Sequence, residues 1–131
     1  MLQRDYLMNL ILQFVRSIVM SLEKGKKDPV LAAENLEDAI SQATDVDKDV
    51  LFPLDGMSFA MILQVSSLDP VVVSYVCQSL LLEARYLDDA QLGAKAALRR
   101  SQAEALADAY GVELIDTDDF LNQEEFQSSK V

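Results

Sequence analysis

Apolar side chains recur every three or four residues through the start of the chain: Leu7, Leu10, Ile11, Phe14, Ile18 and Leu22 share one face of a helix with a period of about 3.6 residues. The pattern predicts an opening helix over 3–23, about 30 Å long at roughly 1.5 Å per residue. It stops at Lys24-Gly25-Lys26-Lys27, where a glycine can take positive φ and lysines complement the negative helix end. Asp28 then supplies an N-cap, and Pro29 the first helical position, where a missing N–H has no intrahelical partner to lose. In the helix that follows, over 29–43, Ala33, Leu36, Ile40 and Ala43 form a narrow stripe while Glu34, Glu37 and Asp38 face outward. The two helices can therefore lie antiparallel as a hairpin.

Residues 44–55 hold no sustained helical period and contain Pro53, which predicts the longest internal connection, with Val50, Leu51, Phe52 and Leu54 folding back onto the core. Asp55 can cap a helix over 56–66, and Ser67-Leu68-Asp69-Pro70 repeats the cap-then-proline device to open a helix over 70–87. That helix is apolar on more than one side, through Val72, Val73, Val76, Leu80 and Leu87 with Tyr75, Leu81 and Leu82 elsewhere, and is expected to be central. A turn at Asp88-Asp89 leads to an alanine-rich helix over 90–110 that can approach a neighbour closely, with Gly111 as its C-terminal cap. Residues 112–131 bring six acids against Lys130, which predicts an acidic tail with Thr117 capping at most a short helix through Phe120 and Leu121. The expected fold is all-α: antiparallel helical hairpins in a bundle of about five helices over 1–111.

Composition narrows the function more than it names it. With 131 residues, 50% of them hydrophobic, the chain can fill one core. The net charge of −11 is uneven: residues 1–27 carry five basic and two acidic side chains, a balance of +3, which leaves −14 for the rest. So acidic a chain repels a phosphate backbone, and nucleic acid is not an expected partner. No histidine and a single cysteine, Cys77, exclude an intramolecular disulfide, a Cys/His zinc site and a Glu-x-x-His di-iron bundle. The apolar stretch from Leu7 to Met20 is broken by Asn9, Gln13 and Arg16, too short to span a bilayer and without a small-residue cleavage site, so the expected location is cytoplasmic.

The opening Met1-Leu2-Gln3-Arg4-Asp5-Tyr6-Leu7, with Ile11, Phe14 and Ile18 behind it, resembles the start of a family of small uncharacterised bacterial helical proteins whose fold is tetratricopeptide-like. The resemblance covers the first hairpin, 1–47, and implies stacked helical hairpins but no activity. A second, local resemblance lies in Leu82-Glu83-Ala84-Arg85-Tyr86-Leu87-Asp88-Asp89 with Ala94 and Ala97, which is similar to a degenerate tetratricopeptide turn. No second copy of the tryptophan, leucine-glycine and tyrosine pattern follows at a 34-residue period, so no peptide-binding residues transfer.

Carboxylates are the only catalytic chemistry this composition offers. Glu34, Glu37 and Asp38 share a helical face, where they resemble half of the acidic motif of helical nucleotide pyrophosphohydrolases. The other half, a Glu-x-x-Asp on the next helix, is missing; Glu104 and Asp108 are four apart and far downstream. A solvated face is therefore expected, with a magnesium-dependent hydrolase using helix-borne carboxylates as the competing reading. Cys77, set among Val73, Val76 and Leu80 with no base beside it in sequence, reads as an inert buried thiol. The first helix, with Phe14, Ile18, Val19 and a terminal lysine cluster, could lie on a membrane, but its basic face is weak and core packing is expected instead. There is no phosphate-binding glycine loop, and no cofactor is expected. What remains is a non-catalytic interaction module for a partner protein or a second copy, with Val50, Leu51, Phe52 and Leu54 beside the first hairpin as the expected surface.

Overall fold

All regular structure in this computed structural model, which describes residues 2–123 and 126, is helical. Five long helices appear where the pattern predicts them: α1 (Leu2–Gly25), α2 (Pro29–Thr44), α4 (Gly56–Val65), α5 (Pro70–Asp89) and α6 (Gly93–Tyr110). Two short ones, α3 (Lys48–Leu51) and α7 (Thr117–Leu121), occupy the connection and the C-terminal segment. The starts are set by side-chain caps. Asp28, Asp55 and Asp69 accept hydrogen bonds from the backbone N–H of Leu31, Ser58 and Val71 at 3.1, 2.8 and 2.8 Å, satisfying donors that have no intrahelical acceptor.

Three expectations about turns are corrected. Gly25 does not take positive φ; Gly111 alone among the described glycines does, as the cap of α6. Residues 47–51 are not wholly irregular, because the Asp47 carboxylate accepts from Asp49 N–H and closes one helical turn. The last long helix starts at Gly93 rather than at 90, because Gln91 is left-handed, with φ 63°, and ends the preceding helix.

α1 and α2 form the antiparallel hairpin, α2 lies on α5, α5 on α6, and α6 on α4. Gly56 sits against Ser101, and the Tyr110 hydroxyl donates to the Leu63 carbonyl at 3.0 Å, so α4 and α6 run in the same sense. The core has two parts. One gathers Phe14, Ile40, Leu51, Phe52, Phe59, Leu63, Val76 and Leu80 with Ala103 and Leu106; the other gathers Val15, Ile18, Leu36, Leu82, Leu87, Phe120 and Phe126. α5 contributes to both, as expected of the central helix.

The segment after Gly111 differs from the tail the charge suggested. The Gln78 side-chain amide pairs with the backbone of Ile115, donating to its carbonyl and accepting from its N–H at 3.2 and 3.1 Å. Asp116, not Thr117, caps α7, and Phe120 and Phe126 are buried. The acids of this stretch that are described, Glu113, Asp116, Asp118 and Asp119, are exposed, while Glu124, Glu125 and Lys130 lie outside the described residues.

Candidate functional site

α4 is apolar nearly all round, yet only part of it is buried. Phe59, Ala60 and Leu63 face inward, while Met57, Met61 and Val65, spaced i, i+4, i+8, are 74%, 60% and 86% exposed. The stripe is two turns of unpartnered apolar surface, with Val50, 54% exposed, on the preceding α3. Exposed carboxylates are carried by the same pair of packed helices: Asp55 at the start of α4, and Glu104 and Asp108 on α6. Asp55 is held below the usual carboxylate range by the Ser58 N–H and hydroxyl that it accepts.

At the other end of α4, a groove of about 590 Å³ opens between the first turns of α1, the end of α2 and the α4–α5 turn. Leu7, Leu10, Leu68 and Val72 form its apolar lining, with Arg4, Asp45 and Asp69 among the polar residues. Two of its residues, Asp45 and Ser67, have φ of 59° and 52°, the left-handed region that non-glycine residues enter at a cost.

Of the four residues expected to form the interaction surface, the structure splits the set. Leu51 and Phe52 are buried, Leu54 is half-buried, and only Val50 is exposed. The expectation that the segment folds back onto the core holds for Leu51 and Phe52, and for that reason those two cannot present a surface. Phe52 lies against Phe59, with ring centroids 6.2 Å apart, and beneath the guanidinium of Arg99 at 4.8 Å.

The three acids of α2 do not come together. Glu34 is exposed, Asp38 pairs with Lys48 at 2.9 Å, and Glu37 turns inward to Arg99 at 3.0 Å. The Asp38 carboxylate raises the Lys48 pKa above its ordinary value. The expectation of a solvated face is thus corrected at Glu37, whose side chain is 17% exposed. Arg99, 3% exposed, also donates through Nε to Glu83 at 2.8 Å and through Nη1 to the Phe52 carbonyl at 2.9 Å and Gln102 Oε1 at 3.2 Å. Gln102 donates in turn to the carbonyls of Phe52 and Leu54 at 3.0 and 2.7 Å. Burial, with Glu37 beside it, raises the Glu83 pKa well above the ordinary carboxylate range against the opposing pull of Arg99.

Neither Arg99 nor Glu83 was expected from the sequence to be buried, although a signal was there. Arg99 stands in register with Ala96, Ala103 and Leu106, and Glu83 with Val76, Leu80 and Leu87, so each interrupts an apolar stripe at the position of a core residue.

Cys77 is fully buried, its thiol 3.6 Å from the Ala103 carbonyl, and burial pushes its pKa up to about 12. Among the described residues no helix is long and apolar enough to cross a membrane. Compared with known proteins, the chain matches no family model, no curated protein and no solved structure.

Proposed function

We propose that this protein is a non-catalytic helical interaction module, tetratricopeptide-like in its use of stacked hairpins, that docks a partner protein or a second copy of itself through the outer face of α4. The observation that carries the reading is the stripe of Met57, Met61 and Val65 left in solvent on a helix whose other side is core. Burying each such side chain is worth about 1.5–3 kcal/mol, so covering the stripe would release several kcal/mol toward association. Methionine side chains are flexible and polarizable and conform to varied apolar partners. The exposed carboxylates of Asp55, Glu104 and Asp108 on α4 and the α6 it packs against favour a partner that brings basic side chains. The site of action under this reading is the cytoplasm, and nucleic acid and the membrane surface are not its partners.

Light scattering over a concentration series, together with affinity capture, tests it. The expected result is a dimer or a stoichiometric protein partner, lost in Met61→Lys while the circular dichroism and melting of the variant stay near those of the parent. A protein that stays monomeric and captures no stoichiometric partner, or one whose association is indifferent to Met61→Lys, overturns the reading.

A further inference from the structure

We propose that the core of this protein carries a proton: in the folded state Glu83 is a neutral carboxylic acid whose hydroxyl faces Glu37, so that the Glu37, Glu83 and Arg99 cluster has no net charge.

The geometry requires a donor that the side chains do not supply. Glu83 is fully buried, and its Oε2 is taken by Arg99 Nε while its Oε1 makes no hydrogen bond. No donor is bonded to that oxygen, and those that Arg99 and Gln102 are seen to use go to other acceptors. Arg99 gives Nη1 to Phe52 and Gln102 and Nη2 to Glu37, and both N–H bonds of the Gln102 amide go to backbone carbonyls. The Ser79 hydroxyl, one turn back on α5, is buried and makes no hydrogen bond to it. The carboxyl of Glu37 is held by the same guanidinium, on Nη2 beside the Nε that bonds Glu83. Two carboxylates can only repel, and an orphaned buried acceptor destabilises the fold, whereas one proton between them supplies the missing donor.

The charge count agrees. If both acids were ionised, one guanidinium would face two negative charges, with Glu83 wholly out of water. Among the described residues, Arg99 is the cation that acts on Glu83. Lys48 is paired with Asp38 on the exposed side of α2, Arg85 pairs with Asp118 on the exposed side of α5, and α1 meets α5 through Phe14 and Ser21, which are uncharged.

The proton is therefore a ligand of the folded state that joins α2 to α5 and α6. Because the Glu83 pKa is raised on folding above its ordinary 4.5, the stabilisation is complete at acid pH and is lost as pH rises through the raised value. Over that window the folded chain holds one proton more than the unfolded chain, and the unfolding constant grows by up to about tenfold per pH unit.

Glu83→Gln mimics the protonated acid, since its oxygen can accept from Arg99 Nε and its amide can donate toward Glu37. Urea titrations at a series of pH values are expected to show the ratio of wild-type to Glu83→Gln unfolding constants rising by up to about tenfold per unit across the window. Carboxyl-carbon NMR on the wild type is expected to show Glu83 still protonated after the exposed glutamates have ionised. Parallel pH profiles for the two proteins overturn the proposal. So does a Glu83 carboxyl that ionises together with the exposed glutamates, whatever the variant does.

Discussion

Gly25 lies against the ring of Tyr86 so closely that a Cβ added to it would clash with Cε1. The ring has little room to retreat: Tyr86 is 6% exposed, and its hydroxyl is 3.1 Å from that of Ser21. The end of α1 is thus pinned on α5 by the absence of a side chain. Gly25→Ala should destabilise by about 1–3 kcal/mol, the usual cost of overpacking, despite alanine's better helix propensity. In Tyr86→Leu the same change should cost measurably less, because the clashing atoms are gone. Urea midpoints of the four proteins check this, and additive costs would show that the contact is not tight.

Arg99 serves four acceptors, two of them carboxyl groups. Arg99→Met should cost about 3–5 kcal/mol, since it leaves buried acceptors unpaired. Arg99→Lys should recover little of that, because a point-charge ammonium cannot span the planar fork of contacts. Thermal melting at one fixed pH reads both, and equal stability of parent and lysine variant would contradict the geometry.

Cys77 should be silent toward thiol reagents in the native protein. Burial penalises the thiolate and pushes the pKa to about 12, so at pH 8 almost none of the reactive form exists and the sulfur is out of reach of solvent. Labelling is expected to be negligible before, and stoichiometric after, denaturation with urea. Rapid labelling of the folded state would place the thiol elsewhere.

Asp28→Ala and Asp69→Ala should each cost about 1 kcal/mol, because each removes a side-chain acceptor for a helix-starting N–H. Unchanged urea midpoints for both would count against these helix starts.

Phe126→Ala should cost about 3–5 kcal/mol, the range for truncating a fully buried phenylalanine. Its ring lies 4.7 Å, centroid to centroid, from that of Phe120, and both belong to the part of the core under α1 and α2. A melting temperature unmoved by the change would mean that the C-terminal segment is not part of the folded unit.

The long helices were legible because period, cap and proline agree at the same places, as at Asp28-Pro29 and Asp69-Pro70. The candidate surface was not. A helix as uniformly apolar as α4 reads as buried on all sides, and which of its faces lacks a neighbour is decided by the packing of α4 on α6. The same holds inside. Glu37 sits beside Glu34 and Asp38 in the sequence and shares their charge, yet it alone meets Arg99, 62 residues away. Phe120 and Phe126 were obscured by the acids around them, which carry the local composition but not the packing.

The burial of Phe120 and Phe126 in the cluster they share with the first hairpin also sets an order of events during synthesis. α1 and α2 leave the ribosome first, but Val15, Ile18 and Leu36 share their cluster with rings that are made roughly a hundred residues after them, from Val15 to Phe120. At the usual translation rate of about 5–20 residues per second, that cluster stays incomplete for many seconds, even as Leu82 and Leu87 of α5 become available to it. The hairpin can form early, yet the part of the core it belongs to is closed only when residue 126 has emerged.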